Sequence, residues 1–275
     1  MFNKKSRIEI KTPEQFDRMR AAGVVVADTL SLLRNSLTPG MTTLDLDAVA
    51  RDSISSAGAQ PSFLGYHGFP AVVCISVNEE IVHGIPGDRV INQGDVVSID
   101  CGAIVDGWHG DAAFSMVVGE GSPQDHELLR VTEEALWRGL AQAVAGGRLS
   151  DIGHAVQTHV RAAGDYGIVE EYVGHGIGTS MHMDPSVPNY GEPGHGPQLT
   201  VGMALAVEPM VNLGSRHTRV LGDDWTVVTQ DGRRSAHFEH TVAITELGPW
   251  VLTAHDGGAA RFAALGVPTP AKIRS

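Results

Sequence analysis

The sequence predicts a mixed α/β (α+β) fold, with a core of antiparallel strands, flanking helices and two halves related by a pseudo-twofold axis. Three observations predict this class. Helix-start signals alternate with short apolar runs of strand length. The Asp106-Gly107 pair is typical of a two-residue turn between antiparallel strands. Segments of the first half recur in the second half at a nearly constant spacing.

Helices are predicted by their start and stop signals. Thr12 is the predicted N-cap of the first helix, because Pro13 and Gln15 supply the N1 proline and the capping-box glutamine. Gly58 supplies a C-terminal stop for the second helix. The four predicted helices cover Pro13 to about Leu33, Leu44–Ala57, Pro123–Ala145 and Ser150–Ala163.

Strands are predicted where apolar residues run together over strand lengths. These runs cover Val72–Val77, Val96–Ile99, Ala204–Val211, Thr226–Thr229 and Phe238–Ile244. Residues 258–275 are rich in Ala, Gly and Pro and are predicted to form a loose tail.

The two halves share an order of elements: helix, helix, strand, and a strand that ends in an acid. Thr43–Ala50 matches Leu149–Val156 at an offset of 106, and Gly94–Asp100 matches Gly202–Glu208 at an offset of 108. Chance similarity is the alternative explanation, but a duplicated unit also explains the matching acids. The predicted organisation is one domain at 1–257, with halves at about 38–120 and 146–247, followed by the tail at 258–275.

Composition excludes several classes of protein. The 275 residues carry a net charge of −12, which argues against binding nucleic acid or anionic membranes through net charge. No apolar segment has the length of a signal-peptide core or a membrane span. Two cysteines without a CxxC pair indicate neither a disulfide framework nor structural zinc, and favour a cytoplasmic location.

Four acids lie inside or beside strongly apolar strand patterns: Asp100, Asp111, Glu208 and Glu239. A single acid beside a turn is usually a turn or capping residue, but four together need another explanation. Buried carboxylates are costly unless they are paired or bind metal, and four in one place would repel each other. Two divalent cations balance four carboxylates, so the pattern predicts a dinuclear metal site.

The predicted hairpin supports such a site. If Asp106 and Gly107 form the loop, Asp100 faces Ala113, and Asp111 lies diagonal to Asp100 on the same face, roughly 7–8 Å away at Cα. Two carboxylates then reach toward one point. A loop longer or shorter by one residue would break this arrangement.

Three histidines lie in glycine- or proline-containing segments. His175 is flanked by two glycines, and one imidazole among carboxylates suits Mn, Fe, Co or Zn. His83 precedes Gly-Ile-Pro and His182 precedes Met-Asp-Pro, at corresponding places in the two halves. They are either surface loop residues or donors of hydrogen bonds to a reacting carbonyl and amide.

Together these segments resemble the methionine aminopeptidases of peptidase family M24, which have the pita-bread fold. The resemblance covers about residues 9 to 253, and the motifs come in the family's order. The matching motifs are Gly65-Tyr-His-Gly-Phe-Pro, Cys74-Ile-Ser-Val-Asn-Glu, Val82-His-Gly-Ile-Pro, Ser98-Ile-Asp-Cys-Gly, Asp106-Gly-Trp-His-Gly-Asp, Gly174-His-Gly-Ile-Gly, Val207-Glu-Pro-Met, Asp224-Trp-Thr-Val-Val-Thr and Phe238-Glu-His-Thr.

The resemblance implies a metalloaminopeptidase that uses two divalent ions (Co, Mn, Fe or Zn) to remove the initiator methionine when the second residue is small. Glu208 would also be the general base, and His83 and His182 would line the reacting bond. Asp111 and Glu239 would bridge the ions. The implied metal ligands are Asp100, Asp111, His175, Glu208 and Glu239.

The resemblance also implies a methionine pocket, formed by Tyr66, Phe69, Cys74, His83, Met181 and Trp225 with Phe63 nearby, and it counts His182 among the substrate-binding residues. Aromatic and sulfur groups suit a thioether. Phe63, Met181 and Phe69 stand where the family often has Cys, Phe and Tyr. Gly102 stands where Thr can occur and is expected to widen the entrance. Asn78 and Ser235 match positions that hold a monovalent cation in bacterial relatives.

The short stretch from Glu208 to Glu239 resembles the bacterial-like type I form. This implies a cytoplasmic monomer that acts on nascent chains and peptides, allows ribosome association, and binds neither membranes nor specific nucleic acids. Two rivals stay open: a proline-directed peptidase of the same fold, and a metal-free binding protein. Five competent ligand side chains weigh against the second. A third alternative, a nucleotide-binding protein that uses the glycine-rich segment 174–178, is weak because no Walker or Rossmann spacing accompanies that segment.

Overall fold

A computed structural model describes residues 8–270. The helices are α1 (Pro13–Ser36), α2 (Thr43–Ser56), α3 (Pro123–Leu140), α4 (Leu149–Ala163) and α5 (Ala259–Ala264). The strands are β1 (Gln60–Pro61), β2 (Val73–Val77), β3 (Glu80–Val82), β4 (Val96–Val105), β5 (Trp108–Val117), β6 (Gly167–Ile168), β7 (Gly174–Gly176), β8 (Met183–Val187), β9 (Ala204–Val207), β10 (Met210–Asn212), β11 (Thr218–Val220), β12 (Val227–Thr229), β13 (Ser235–His237), β14 (Glu239–Thr245) and β15 (Gly248–Val251).

The first helix begins with the predicted capping box. The backbone N–H of Gln15 donates to the Thr12 hydroxyl, and the backbone N–H of Thr12 donates to the Gln15 side chain. The predicted end of α3 at Ala145 is wrong, because the helix stops at Leu140. Beyond Leu140 the N–H groups of Gln142 and Ala143 donate to the carbonyls of Gly139 and Leu140, so i→i−3 turns replace the helical hydrogen-bond pattern.

The sheet confirms the predicted class. Its strands run β1-β4-β5-β14-β9-β7-β8, with β2 beside β4 and β15 beside β14, and all of these pairings are antiparallel. The pair β4-β5 from the first half meets the pair β14-β9 from the second half at the middle of the sheet. The two pairs of strands are therefore related by a pseudo-twofold axis between β5 and β14.

Two predicted strands have different limits in the structure. The run Ala204–Val211 is two strands, β9 and β10, because Pro209 has no N–H to donate to a ladder. The run Val96–Ile99 is the first part of a longer strand, β4, which continues to Val105 as one arm of the hairpin. Both differences concern residues beside the acids of the predicted site.

The hairpin prediction is confirmed. Val105 pairs with Trp108, so Asp106 and Gly107 form a two-residue loop, with φ of 49° and 78°. Positive φ at both positions is the signature of the type I′ turn. The register then places Asp100 opposite Ala113 and Asp111 opposite Gly102, on one face of the sheet.

The predicted loose tail needs correction. Ala259–Ala264 form α5, and Phe262 is completely buried in the main core, where its ring packs edge-on against Trp137 at 5.7 Å. Residues 271–275 of that tail, like residues 1–7, lie outside the described range. Between residues 8 and 270, no helix has both the length and the hydropathy needed to cross a membrane. The proposed domain limits stay predictions.

Candidate metal and substrate site

Four acids and one imidazole come together from five neighbouring strands at the centre of the sheet. Asp100 lies on β4, Asp111 on β5 and His175 on β7, while Glu239 begins β14 and Glu208 directly follows β9. These strands are consecutive in the sheet. The convergence of the five side chains therefore depends on how the strands are aligned, because alternate residues of a strand face the same side of the sheet.

Interatomic distances show how closely the groups approach. Ligand atoms of Asp111, His175 and Glu239 all lie within 4.8 Å of one another. The Nε2 atom of His175 is 3.6 Å from Oε1 of Glu208 and 4.0 Å from Oδ2 of Asp111. Backbone contacts fix two of the acids, because Thr241 Oγ1 donates to the Asp111 carbonyl and Asn189 Nδ2 donates to the Glu208 carbonyl.

The tautomer of His175 follows from its hydrogen bond. Its Nδ1 lies 3.0 Å from the carbonyl oxygen of Gly176, which can only accept, so Nδ1 carries the proton. The Nε2 lone pair is then free for a cation. Gly176 allows β7 to approach β8, since a Cβ there would lie 2.2 Å from the Asp184 carbonyl oxygen.

The carboxylates resist ionisation in the absence of a cation. Burial raises the pKa of Asp100 to about 7. Burial also raises the pKa of Asp111 well above its usual range, and repulsion from Asp100 and Glu208 adds to it. The pKa values of Glu208 and Glu239 are raised for the same two reasons.

Unpartnered atoms test whether these residues suit a metal. Three buried carboxylate oxygens, Asp100 Oδ1, Asp111 Oδ1 and Glu239 Oε1, have no hydrogen-bond partner. Buried oxygens of this kind are costly unless they bind a donor or an ion. With the free Nε2 of His175, they form an oxygen-rich donor set that suits divalent Mn, Fe, Co or Zn. The residues therefore fit the implied metal.

A cavity of about 350 Å³ opens beside the acids. Its apolar wall is a cluster in which Phe69 meets Trp225 edge-on, with ring centroids 5.1 Å apart. All eight residues predicted to bind substrate line this cavity: Phe63, Tyr66, Phe69, Cys74, His83, Met181, His182 and Trp225. Their roles stay predictions, but the structure brings them together with the five predicted metal ligands.

Two neutral imidazoles stand at the edge of the cavity. Burial, with repulsion from His182 adding to it, lowers the pKa of His83 to about 4. Burial also lowers the pKa of His182, whose Nδ1 lies 2.8 Å from the Tyr66 hydroxyl. The ring of His182 meets that of His175 at a centroid distance of 4.2 Å. A neutral imidazole carries one N–H, and that of His182 faces a ligand when the Tyr66 hydroxyl donates to Nδ1.

Two histidines of this site were not predicted. His67 lines the cavity from a left-handed turn, with φ of 47°, between Gly65 and Gly68. His237 lies behind Glu208, and its Nε2 is 3.7 Å from Oε2 of that residue. The period of two in strands is the signal that points to His237, because it lies two residues before Glu239.

The expectation that Gly102 widens the entrance is wrong. A Cβ at Gly102 would lie 2.8 Å from Cβ of Ser62 and 3.0 Å from Cε1 of Phe63. The side chain of Phe63 thus occupies the space that the missing Gly102 side chain leaves. Phe63 and Gly102 form a pair matched in size, and the cavity keeps a closed wall.

The predicted monovalent-cation residues are neighbours, since the N–H of Ser235 donates to the carbonyl of Asn78 at 2.9 Å. Asn78 also donates through Nδ2 to Asp95 and accepts from the N–H of Val96 through Oδ1. The Ser235 hydroxyl donates to the Val211 carbonyl. These contacts join the turn between β2 and β3 to the first residue of β13, and a cation there stays a prediction.

Comparison with known proteins gives matches along most of the chain. The model of metallopeptidase family M24 matches residues 17–246. Methionine aminopeptidase 1 of Bacillus subtilis is 53% identical over 243 residues, which cover 88% of this chain and 98% of that protein. The crystal structure of methionine aminopeptidase from Thermotoga maritima superposes with a TM-score of 0.89 at 44% identity, covering 90% of this chain and all of that one.

A more distant match is the prolidase of Pyrococcus furiosus, with a TM-score of 0.72 and 24% identity. The superposed region covers 89% of this chain but 65% of the prolidase. At this identity the similarity shows a shared fold alone.

Proposed function

The chain belongs to metallopeptidase family M24, and from its identity to methionine aminopeptidases over most of both chains we infer that it is a methionine aminopeptidase, a metalloaminopeptidase that removes N-terminal methionine from proteins and peptides. One observation carries the inference at the level of chemistry. A cluster of carboxylates and an imidazole shares one cavity with a wall of aromatic and sulfur-containing side chains. The first group suits hydrolysis, and the second suits a thioether side chain.

We propose that five residues hold two divalent ions: Asp100, Asp111, His175, Glu208 and Glu239. Support comes from the 4.8 Å cluster, the unpartnered carboxylate oxygens and the tautomer of His175. When bound, such ions supply a polarised scissile carbonyl and a water of lowered pKa. The identity of the metal is left to experiment among Mn, Fe, Co and Zn.

Glu208 is the proposed acceptor of the proton from the attacking water. Its position supports this role, because its carboxylate lines the cavity and its Oε1 lies 3.6 Å from Nε2 of His175, inside the proposed metal cluster. His182 would stabilise the developing oxyanion through an N–H at Nε2, and His83 would contact the scissile amide. Both imidazoles are neutral near pH 7, because burial lowers their pKa values.

The substrate's first side chain would lie against the apolar wall of the cavity, which is formed by Phe63, Phe69, Cys74, Met181 and Trp225. The cavity of about 350 Å³ has room for one side chain and its neighbouring backbone. We expect the second residue of the substrate to be small. Nascent chains and short peptides that begin with methionine are the proposed substrates.

We further propose that the enzyme acts as a monomer in the cytoplasm, on chains leaving the ribosome. The proposal keeps one catalytic domain, at about residues 1–257. Asn78 and Ser235 are the proposed holders of a monovalent cation, which would support the turn and the strand that they join.

A peptide panel tests the function. Metal-depleted protein is given Mn, Fe, Co or Zn, and release of the first residue is measured from Met-Ala-Ser, Met-Leu-Ser and an Xaa-Pro peptide. We expect methionine release from Met-Ala-Ser, far less from Met-Leu-Ser, and no cleavage of the Xaa-Pro bond. Preference for the Xaa-Pro peptide would contradict the proposal in favour of a proline-directed peptidase.

A further inference from the structure

His237 is a buried imidazole beside the metal site with no assigned role. It ends β13 and is 1% exposed. Its backbone is held from both sides by one hydroxyl, because its N–H donates to Ser115 Oγ at 2.9 Å and Ser115 Oγ donates to its carbonyl at 2.8 Å. The second hydroxyl, of Ser98, lies 2.6 Å from Ser115 Oγ and must donate to it. These hydrogen bonds fix the backbone from which the imidazole ring projects.

The ring nitrogen Nε2 of His237 points at two carboxylates. It lies 3.7 Å from Oε2 of Glu208 and 4.0 Å from Oε2 of Glu239, and it has no hydrogen-bond partner although it is buried. The other oxygen of Glu208, Oε1, lies 3.6 Å from Nε2 of His175. The Glu208 carboxylate is thus flanked by one imidazole at each oxygen.

The two imidazoles have different tasks. Nδ1 of His175 donates to a carbonyl, which leaves a lone pair on Nε2 for a cation. A second lone pair, on Nε2 of His237, would face two anionic oxygens and repel them. A proton on that nitrogen instead gives an N–H that a carboxylate can accept. The surroundings of His237 therefore favour the Nε2–H tautomer.

We propose that His237 is a positioning residue for Glu208: its Nε2–H donates to Oε2 and holds the carboxylate so that Oε1 stays turned toward His175. The proposal deepens the proposed function, since Glu208 is the residue assigned to accept the proton. The distance from Nε2 of His237 to Oε2 of Glu208 is 3.7 Å, and shortening it by less than 1 Å gives a hydrogen bond. Partners of metal-binding carboxylates orient them and tune their affinity.

Substitution of His237 by leucine and by glutamine separates the effect of losing the N–H donor from the effect of changing the packing. We expect His237→Leu to lower kcat on Met-Ala-Ser by about 10- to 100-fold and to weaken Mn²⁺ binding by about tenfold in calorimetry. KM should change by less than about threefold, because the lost contact does not touch the peptide. His237→Gln keeps an N–H donor and should stay within about fivefold of wild type.

His159 offers the matched control. It lies on α4, and its Nε2 is also buried without a partner, but it lines a groove away from the metal site. His159→Leu should leave kcat and Mn²⁺ affinity unchanged. Wild-type values in His237→Leu, or an equal loss in His237→Gln, would overturn the proposal.

A spectroscopic readout covers the case in which the leucine variant fails to fold. In Zn²⁺-loaded protein with ¹⁵N-labelled histidine, the His237 resonances, identified by their absence in His237→Gln, should show a protonated Nε2. A bare Nε2 would overturn the proposal. If wild type released no methionine while His237→Leu still weakened Mn²⁺ binding, the proposed function would fail and the positioning of Glu208 would stand.

Discussion

The Tyr66 hydroxyl lies 2.8 Å from Nδ1 of His182, across 116 residues of sequence. The two residues also stack obliquely, with ring centroids 5.3 Å apart. If the hydroxyl donates, Nδ1 accepts and the single proton of the neutral imidazole lies on Nε2. That is the nitrogen that would meet an oxyanion in the proposed function, so this donation would make Tyr66 the residue that selects the tautomer of His182.

Tyr66→Phe tests this relationship. The variant keeps the apolar ring but loses the hydroxyl, so His182 is free to place its proton on Nδ1. We expect kcat on Met-Ala-Ser to fall by about tenfold or more, since loss of one oxyanion donor costs about 10²–10³. Tyr166→Phe, remote from the cavity, is the control. Equal kcat in Tyr66→Phe and wild type would show that the hydroxyl does not set the tautomer.

Phe63→Ala tests the pocket wall. Phe63 fills the space beside Gly102, so its loss should enlarge the site for the first side chain. We expect kcat/KM for Met-Ala-Ser to fall by about 10- to 200-fold, while Phe-Ala-Ser gains relative to it. Leu64→Ala, next in sequence and 43% exposed, is the control. An unchanged ratio between the two peptides would exclude Phe63 from selection.

Asp47→Ala tests how α2 is fixed to the strand that carries Cys74. The buried Oδ1 of Asp47 accepts the N–H groups of Val72 at 2.7 Å and Val73 at 3.2 Å. Leaving two buried donors unpaired should lower the free energy of unfolding by about 2–4 kcal/mol. Asp47→Asn keeps one acceptor oxygen and should lose about half as much. Urea titration of metal-depleted protein measures both, and a loss below about 0.5 kcal/mol in the alanine variant would exclude this anchor.

Metal removal should lower thermal stability. Ions that bind only the folded protein stabilise it by about 2.7 kcal/mol at a concentration of 100 Kd. For a chain of this size that corresponds to a rise in Tm of roughly 5–10 °C when Mn²⁺ is added to chelator-treated protein. The control is Asp28→Ala at an exposed acid, which should show the full shift, whereas Asp111→Ala should show a smaller one. An equal shift in Asp111→Ala would place the ion elsewhere.

Much of the site can be predicted from sequence because it depends on turn type and on the alternation of side chains along a strand. The Asp106-Gly107 turn sets the register of its hairpin, and that register fixes the face on which Asp100 and Asp111 lie. Resemblance to the family supplied the roles. The eight pocket residues come together as expected.

The remaining features depend on contacts between distant parts of the chain. The effect of Gly102 was mistaken because it depends on Ser62 and Phe63, which lie opposite it only after folding. The period of two relates His237 to Glu239 alone, and its approach to Glu208, which follows another strand, exists only after folding. Burial of Phe262, which fixes the C-terminal segment, follows from packing against Trp137 rather than from composition.

In the proposed function, methionine release at this cavity depends on five side chains that would hold two cations. The most direct measurement is an anomalous-scattering map at the manganese edge from crystals grown with Mn²⁺. We expect two peaks within the cluster formed by the five proposed ligands, Asp100, Asp111, His175, Glu208 and Glu239. A map with no manganese in the cavity, or with the ion bound by other residues, would contradict the proposed site.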